Sequence, residues 1–359
     1  METISVNLES RSYDIFVERG LMSKLPGLLK KWNVGQKWAI ISQTTLMNKF
    51  GNELLESLQD AGFDVNLIPV PVGEKAKTLH QIELIFETLL EMKYDRSSIL
   101  IGLGGGVVGD ITGFVAATYM RGISYIQIPT TLLAMVDSSI GGKTGVNLQS
   151  VKNSVGAIYQ PLSVFSDPNL LVLLPRREIV SGLAEIIKYG AIKDKKFFQK
   201  LSNQLNNIIA FEDLELLEKV ISRACEIKVE IVEQDEHDHE IRRILNFGHT
   251  VGHALEAFFG YEELRHGEAV AYGILSAGHI SNAKGLLSDN DWSLLKSTIN
   301  NLPLPILPTL NPDGILNIIR NDKKIRAGSL HFILLKKLGE AVISDTISEQ
   351  DIRSALEVL

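Results

Sequence analysis

The hydrophobic pattern of the chain changes character near Pro175. Ahead of it, short apolar runs rich in β-branched residues (Trp38 to Ser42, Val65 to Val70, Ile99 to Leu103 and Tyr125 to Ile128) predict strands. Between them, Thr45 to Ala61 and Leu79 to Met92 carry apolar residues three and four apart and predict helices. This alternation implies an α/β layer built on a mostly parallel sheet. At the front, Ile4 to Leu8 and Tyr13 to Val17 alternate polar and apolar positions, as an antiparallel edge hairpin does. Beyond Pro175 helical spacing dominates, over Glu178 to Tyr189, Leu214 to Glu233, Leu245 to Phe259, Gly267 to Ala283 and Trp292 to Asn300. The prolines at 303, 305, 308 and 312 interrupt it before a final stretch of short helices and a strand at Phe332 to Leu335. The expectation is an α/β N-terminal domain over 1–175 and a mainly α-helical C-terminal domain over 176–359, with no internal repeat.

Composition narrows the function. With 359 residues, 45% of them apolar and 22% charged, the chain can fill two hydrophobic cores. A net charge of −7 argues against a nucleic-acid partner, so any cationic site must be concentrated locally. The single cysteine, Cys225, excludes an intramolecular disulfide, and its setting in Arg223-Ala-Cys-Glu-Ile is a helix position rather than that of a nucleophile. The N-terminus lacks a charged-then-apolar leader, and no window reaches about 18 uninterrupted apolar residues. A cytoplasmic protein without a membrane partner is expected.

Three loops carry candidate ligand chemistry in the first half. Strand Ile99 to Leu103 runs into Gly104-Gly105-Gly106-Val107-Val108-Gly109-Asp110, which satisfies G-x-G-x-x-G between a strand and a helix. Such a turn lets a pyrophosphate sit at a helix N-terminus, although a tight turn without a ligand would use the same glycines. The acidic residue that grips a ribose about 20 residues on is missing, because that region reads Tyr125-Ile-Gln-Ile-Pro129. Gly73-Glu74-Lys75-Ala-Lys77 and Pro129-Thr130-Thr131 also follow strand ends, so three loops gather at the carboxyl edge of the sheet. Gly141-Gly142-Lys143-Thr144-Gly145 is not a phosphate loop, since Asp137 occupies the position of its first glycine. It leaves Lys143 on a flexible, glycine-flanked loop suited to an anionic substrate group.

The second half carries candidate metal ligands. Glu185 and Lys188 share a helix face, for which a structural salt bridge is the ordinary explanation. Asn246, His249 and His253 form a polar stripe on a helix otherwise covered by apolar residues, and Arg242 extends it if the helix starts that early. A buried polar stripe costs free energy unless it is paired or coordinated. His266 opens another helix ahead of Gly267-Glu268. Either His249 and His253 bind a metal together, or His249 and His266 do so while His253 works as a general acid or base. With Glu185, each arrangement gives three protein ligands and an open position, as at a catalytic zinc. Spacing does not choose between them.

Seven segments, in order along the chain, resemble the 3-dehydroquinate synthases: 104–110 (GGGVVGD), 118–122 (TYMRG), 129–147 (PTTLLAMVDSSIGGKTGVN), 152–160 (KNSVGAIYQ), 175–190 (PRREIVSGLAEIIKYG), 245–256 (LNFGHTVGHALE) and 266–273 (HGEAVAYG). The resemblance implies an enzyme that uses NAD and a divalent metal, zinc or cobalt. Its reaction converts 3-deoxy-D-arabino-heptulosonate 7-phosphate to 3-dehydroquinate and phosphate on the shikimate route to aromatic amino acids, by transient oxidation, phosphate elimination, re-reduction and intramolecular aldol closure.

By the same resemblance, the metal ligands are Glu185, His249 and His266, and the active site lies in the cleft between the domains. Substrate contacts fall on Asp137, Lys143, Asn153, Lys188, Lys228, Arg242, Asn246 and His253, with Lys323 or Lys324 closing the site. Arg121 reaches the phosphate from a neighbouring subunit, which implies a homodimer. The nucleotide lies on Glu74, Lys77, Gly105, Gly106, Val107, Val108, Gly109, Asp110, Thr130, Thr131, Lys143 and Lys152, and the catalytic groups are His253, Lys188, Asp238, Lys143 and Lys228.

Two positions depart from the family pattern: Asp238 stands where a glutamate is usual, and Leu173 where a threonine is. Another sugar-phosphate cyclase, such as one making 2-deoxy-scyllo-inosose from glucose 6-phosphate, would need fewer cations than Lys228 and Arg242 supply. A metal-dependent polyol-phosphate dehydrogenase would share the glycine turn but release NADH. A regulatory protein that merely binds nucleotide would not need Glu185, His249 and His266.

Overall fold

Strands come from the β-branched runs and helices from the amphipathic ones, and a computed structural model describes all residues except 34, 149–150, 261–262 and 322–330. Lys323 and Lys324 thus lie outside the described residues. The chain divides into two compact units, Met1–Leu173 and Leu174–Leu359.

In the first unit the strands are β1 (Glu2–Val6), β2 (Tyr13–Val17), β3 (Lys37–Gln43), β4 (Asp64–Val70), β5 (Ile99–Gly104), β6 (Ser124–Pro129), β7 (Lys143–Leu148), β8 (Val151–Ile158) and β9 (Ser163–Ser166). The helices are α1 (Leu25–Leu29), α2 (Thr44–Leu46), α3 (Asn52–Asp60), α4 (Leu79–Glu91) and α5 (Gly106–Thr118). Seven strands form one sheet in the order β1-β2-β9-β6-β5-β3-β4. All its pairings are parallel except β1 with β2, the expected edge hairpin. Central strand β5 is buried at every position, as a parallel strand covered on both faces must be. Beneath it Ile82, Ile85 and Leu89 of α4 and Ile111 and Val115 of α5 fill the core.

Segment 141–147 corrects an expectation. The glycine-flanked stretch that reads as a flexible loop is strand β7, paired antiparallel with β8 with Gly145 opposite Gly156. The two strands approach so closely there that a Cβ on Gly156 would come within 2.1 Å of Thr144 O. Glycines lack the side chains whose alternation signals a strand, so the hairpin is invisible to a periodicity reading.

The second unit holds α6 (Arg176–Lys193), α7 (Lys195–Ile209), α8 (Leu214–Val232), α9 (His249–Phe258), α10 (His266–Ala283), α11 (Asp289–Asn300), α12 (Pro312–Arg320) and α13 (Glu349–Leu356), with a small antiparallel pair β10 (Phe332–Lys337) and β11 (Glu340–Ser344). Helix α7 is not among the expected helices, although its apolar residues fall three and four apart: Phe197, Phe198, Leu201, Leu205 and Ile208 are buried on one face, its Asn and Gln residues fall outside that face, and Asp194 caps it by accepting from Phe197 N at 3.0 Å.

The single helix expected from Leu245 to Phe259 is also corrected. A 3-10 run over Ile241–Asn246 ends before Gly248, which adopts φ +82 ahead of α9. That left-handed step removes Arg242 and Asn246 from the helical stripe that carries His249 and His253.

Helix α10 is the centre of this unit, buried at Ala269, Val270, Ala271, Ile274 and Ala277 and packed on both α6 and α9. Its backbone nearly touches its neighbours. A Cβ on Gly267 would lie 2.0 Å from Ser181 O of α6, and one on Gly273 would lie 1.8 Å from Gly248 O. Ser181 Oγ also accepts from Gly267 N at 2.9 Å, so the first turn of α10 is tied to α6. Gly267→Ala should therefore lower the unfolding free energy by about 2–3 kcal/mol, the upper range for overpacking, as measured by urea denaturation. An unchanged midpoint would contradict this close approach.

Candidate functional site

The metal-capable side chains meet within the second unit. Glu185 occupies the middle of α6 and is fully buried, His249 opens α9, and His266 opens α10. Glu185 Oε1 lies 3.6 Å from His249 Nε2 and 3.7 Å from His266 Nε2. The three ligand atoms all fall within 4.8 Å of one another. Tetrahedral zinc with bonds of about 2.0–2.1 Å separates its ligand atoms by about 3.3–3.4 Å, and the two carboxylate–imidazole separations lie within a few tenths of an ångström of that spacing.

The surroundings support the same fit. Both carboxylate oxygens of Glu185 are buried without a well-aligned hydrogen-bond donor, an arrangement that suits a cation. Lys188, one turn on and buried, forms an ion pair with Oε2, so the carboxylate faces an ammonium on one side and two imidazoles on the other.

Each histidine is held by its other nitrogen. His249 Nδ1 lies 3.2 Å from Phe247 O, which can only accept, so Nδ1 carries the proton and Nε2 keeps its lone pair. His266 Nδ1 lies 3.3 Å from Glu256 Oε2. His253, Glu256 and His266 form a second candidate triplet, which shares His266 with the first. His253 is half-buried beside both rings, with centroids 5.2 Å from His249 and 5.8 Å from His266.

Further groups organise this site. Glu268, fully buried in the first turn of α10, accepts from Arg177 Nε at 2.7 Å and Arg177 Nη2 at 2.6 Å, and also from Arg265 N at 2.8 Å. The bidentate clamp joins the starts of α6 and α10 and holds Arg177 above its ordinary pKa, chiefly through its hydrogen bonds to Glu268.

Lys228 on α8 and Arg242 are both buried cations. Arg242 Nη1 donates to Glu236 O at 2.5 Å, and its backbone N donates to Asp235 Oδ2 at 3.1 Å. Asp235 also accepts from His239 N and Glu240 N at 2.9 and 2.7 Å. Burial pushes its carboxyl up, but these backbone donors outweigh it and bring the pKa below the usual value.

Asp238 lies on this turn with φ +61, a conformation aspartate enters more readily than glutamate. Asn246 ends the 3-10 run, half-buried. On α8, burial pushes the Cys225 thiol up to about 12, against the pull of Lys228.

In the first unit the glycine turn joins β5 to α5. Its last glycine serves packing, because a Cβ on Gly109 would come 2.7 Å from Gln127 Oε1 on β6. Gly105, Gly106 and Val107 are partly open and Val108 is buried, while Thr130 is buried at the end of β6 with its N donating to Gly104 O at 2.9 Å. Thr131 Oγ1 accepts from Ala134 N at 3.1 Å and so caps the next turn.

Lys77, also buried, donates to Asp110 Oδ2 at 2.6 Å and to Asn153 Oδ1, and pairs with Glu74 at 3.7 Å. Asn147 was not singled out by the sequence reading, yet it links the group. Its side chain donates to Glu74 Oε1 at 2.9 Å and accepts from Asn153 N at 2.8 Å. Lys143 and Lys152 are exposed on the β7–β8 hairpin, and Asp137 is half-buried. Arg121 is exposed on a turn where both Met120 and Arg121 take positive φ, 51 and 65.

Two family models match, the N-terminal model of 3-dehydroquinate synthase over residues 67–181 and the C-terminal model over 182–325. The 3-dehydroquinate synthase of Rippkaea orientalis is 44% identical over 98% of this chain and 97% of its own length. The chain belongs to the 3-dehydroquinate synthase family. Members of that family are NAD- and metal-dependent enzymes, and this chain is one of them.

Solved structures agree on the fold. The 2-epi-5-epi-valiolone synthase of Streptomyces hygroscopicus subsp. jinggangensis 5008, with NAD+ and Zn2+ bound, is 28% identical, covers 98% of both chains and superposes with a TM-score of 0.89. A 2-deoxy-scyllo-inosose synthase complexed with carbaglucose-6-phosphate, NAD+ and Co2+ is 25% identical, covers 99% of both chains and gives 0.90.

Asp110 generates a prediction. Burial raises its carboxyl from 3.8 to about 6 despite the opposing pull of Lys77. A carboxyl raised on folding stabilises the fold in its protonated form, so its contribution is full below about pH 4 and is lost as pH rises through about 6. Relative to Asp110→Asn, the wild type should lose about 2 kcal/mol of unfolding free energy between pH 4 and pH 7 and then level off, as followed by urea denaturation at each pH.

Proposed function

We propose that this chain catalyses the cyclisation of 3-deoxy-D-arabino-heptulosonate 7-phosphate to 3-dehydroquinate with release of phosphate. The observation that carries this reading is the buried Glu185 carboxylate with Nε2 of His249 and of His266 at 3.6 and 3.7 Å, in a chain whose relatives share that activity along nearly its whole length. Bound there, zinc or cobalt supplies Lewis-acid polarisation of the substrate hydroxyl, and NAD on the Lys77, Asp110 and Gly105 turn supplies a reversible hydride acceptor.

The chain's own residues do the rest. Lys188, Lys228 and Arg242 are buried cations matched to a substrate that carries a carboxylate and a phosphate. Lys143, Asp137, Asn153 and Asn246 complete the substrate contacts. His253, beside the ligand rings yet partly open, holds the proton that moves to and from the substrate oxygen. Asp238 fills the position of the usual glutamate with a shorter carboxylate. Arg121, presented on its strained turn, reaches the phosphate of a second subunit in a homodimer. The buried Cys225 thiol, which is in no disulfide, fits a reducing cytoplasm. Two buried cations beyond Lys188 favour this substrate over glucose 6-phosphate, which has no carboxylate.

Purified protein given the heptulosonate phosphate, NAD and zinc or cobalt should release phosphate and dehydroquinate without net NADH, and should stop on chelation. NADH accumulation would point to a dehydrogenase, and turnover of glucose 6-phosphate to another cyclase. Glu185→Ala should cut turnover by roughly a thousandfold, the equivalent of several kcal/mol of Lewis-acid stabilisation, with NAD affinity by equilibrium dialysis unchanged.

A further inference from the structure

We propose that Glu256 is a positioning residue that fixes the His266 ring for metal binding; the inference rests on the Glu185, His249 and His266 ligand set. Glu256 lies in the last turns of α9, seven residues after His249 and three after His253, on the polar face of that helix. It is buried, and its Oε2 lies 3.3 Å from His266 Nδ1. The opposite ring nitrogen, Nε2, faces Glu185 Oε1 at 3.7 Å.

The two nitrogens therefore have separate tasks. A carboxylate at Nδ1 accepts a hydrogen bond from it, which keeps the proton on Nδ1 and leaves the lone pair on Nε2 aimed at Glu185. The negative charge also makes the imidazole a stronger donor to a cation. His249 gets the corresponding support from Phe247 O, a neutral acceptor. The His266 side chain is 31% exposed against 11% for His249, so less of its orientation comes from packing. Helix α9 thus provides one ligand from its first residue and the support of the other ligand from its far end. The alternative, Glu256 as a direct ligand with His253 and His266, would take the Nδ1 edge of His266 and leave Glu185 and His249 outside the metal set.

Zinc affinity of the full-length, metal-free protein, measured by competition with a chromophoric chelator, tests this without reference to activity. Glu256→Ala should raise the zinc dissociation constant about 10–100-fold, and Glu256→Gln, which keeps the shape and one acceptor but not the charge, should raise it less. The thermal midpoint of each metal-free variant should match the wild type. If the alanine variant fails to fold, the glutamine variant decides alone: a weakened affinity supports the proposal, and wild-type affinity overturns it. Loss of zinc from Glu256→Ala as complete as from Glu185→Ala would make Glu256 a ligand and overturn it too. Wild-type affinity in Glu185→Ala would instead overturn the ligand set itself, a result separate from normal affinity in the Glu256 variants alone.

Discussion

The second unit depends on how closely helix α10 approaches α6 and α9. At Gly267 and Gly273 the separation is shorter than any side chain permits, since a Cβ would fall about 2 Å from a backbone oxygen. That contact brings the first residue of α10, His266, beside Glu185 in the middle of α6 and His249 at the start of α9. Larger residues at the seam would force the helices apart and lengthen the 3.6 and 3.7 Å separations between Glu185 and the two imidazoles. Hydrogen bonds at its end, from Gly267 N to Ser181 Oγ and from Arg177 to Glu268, fix the rotation of α10 as well as its distance.

Around that seam the electrostatics follow from burial. A fully buried carboxylate costs several kcal/mol unless opposite charge surrounds it. Glu185 has Lys188 on one oxygen and two imidazole nitrogens near the other, leaving room for a cation between them. The first unit solves a similar problem differently. Lys77 is shared among Asp110, Asn153 and Glu74, and the pull of one ammonium does not overcome the desolvation of Asp110. The metal-capable site thus sets one ammonium and two neutral imidazoles around one carboxylate, while the glycine turn gathers acid around one lysine.

Strands with β-branched residues and helices with regular apolar spacing were legible because each such residue reports its own burial. Strands β3 to β6 and helices α4, α6, α8 and α10 fall within a few residues of where the pattern puts them. The β7–β8 hairpin was not legible, since its pairing depends on glycines that carry no pattern. Helix α7 carries the same regular apolar spacing, at Phe197, Leu201, Leu205 and Ile208, and was equally legible. The continuous stripe from Arg242 to His253 failed for a conformational reason: Gly248 turns left-handed at a point where Val270 O and Ile274 of α10, remote in sequence, leave no room for a side chain. In the site, the ligand candidates were visible by type, but Glu256 was not among them, because its support of His266 depends on a contact between α9 and α10.

The sequence by itself determined the residue types: one carboxylate, three histidines, a set of lysines and arginines in an acidic chain, and a glycine turn after a strand. It also held the ordered segments that resemble the 3-dehydroquinate synthases. Only the tertiary structure decided which nitrogens face Glu185, which groups hold the opposite ring edges, and that Arg242 leaves the helix of His249. The reason is physical. Local propensity depends on neighbours along the chain, whereas ligand geometry depends on helices joined through contacts some 70 to 90 residues apart, such as Ser181 with Gly267 and Arg177 with Glu268.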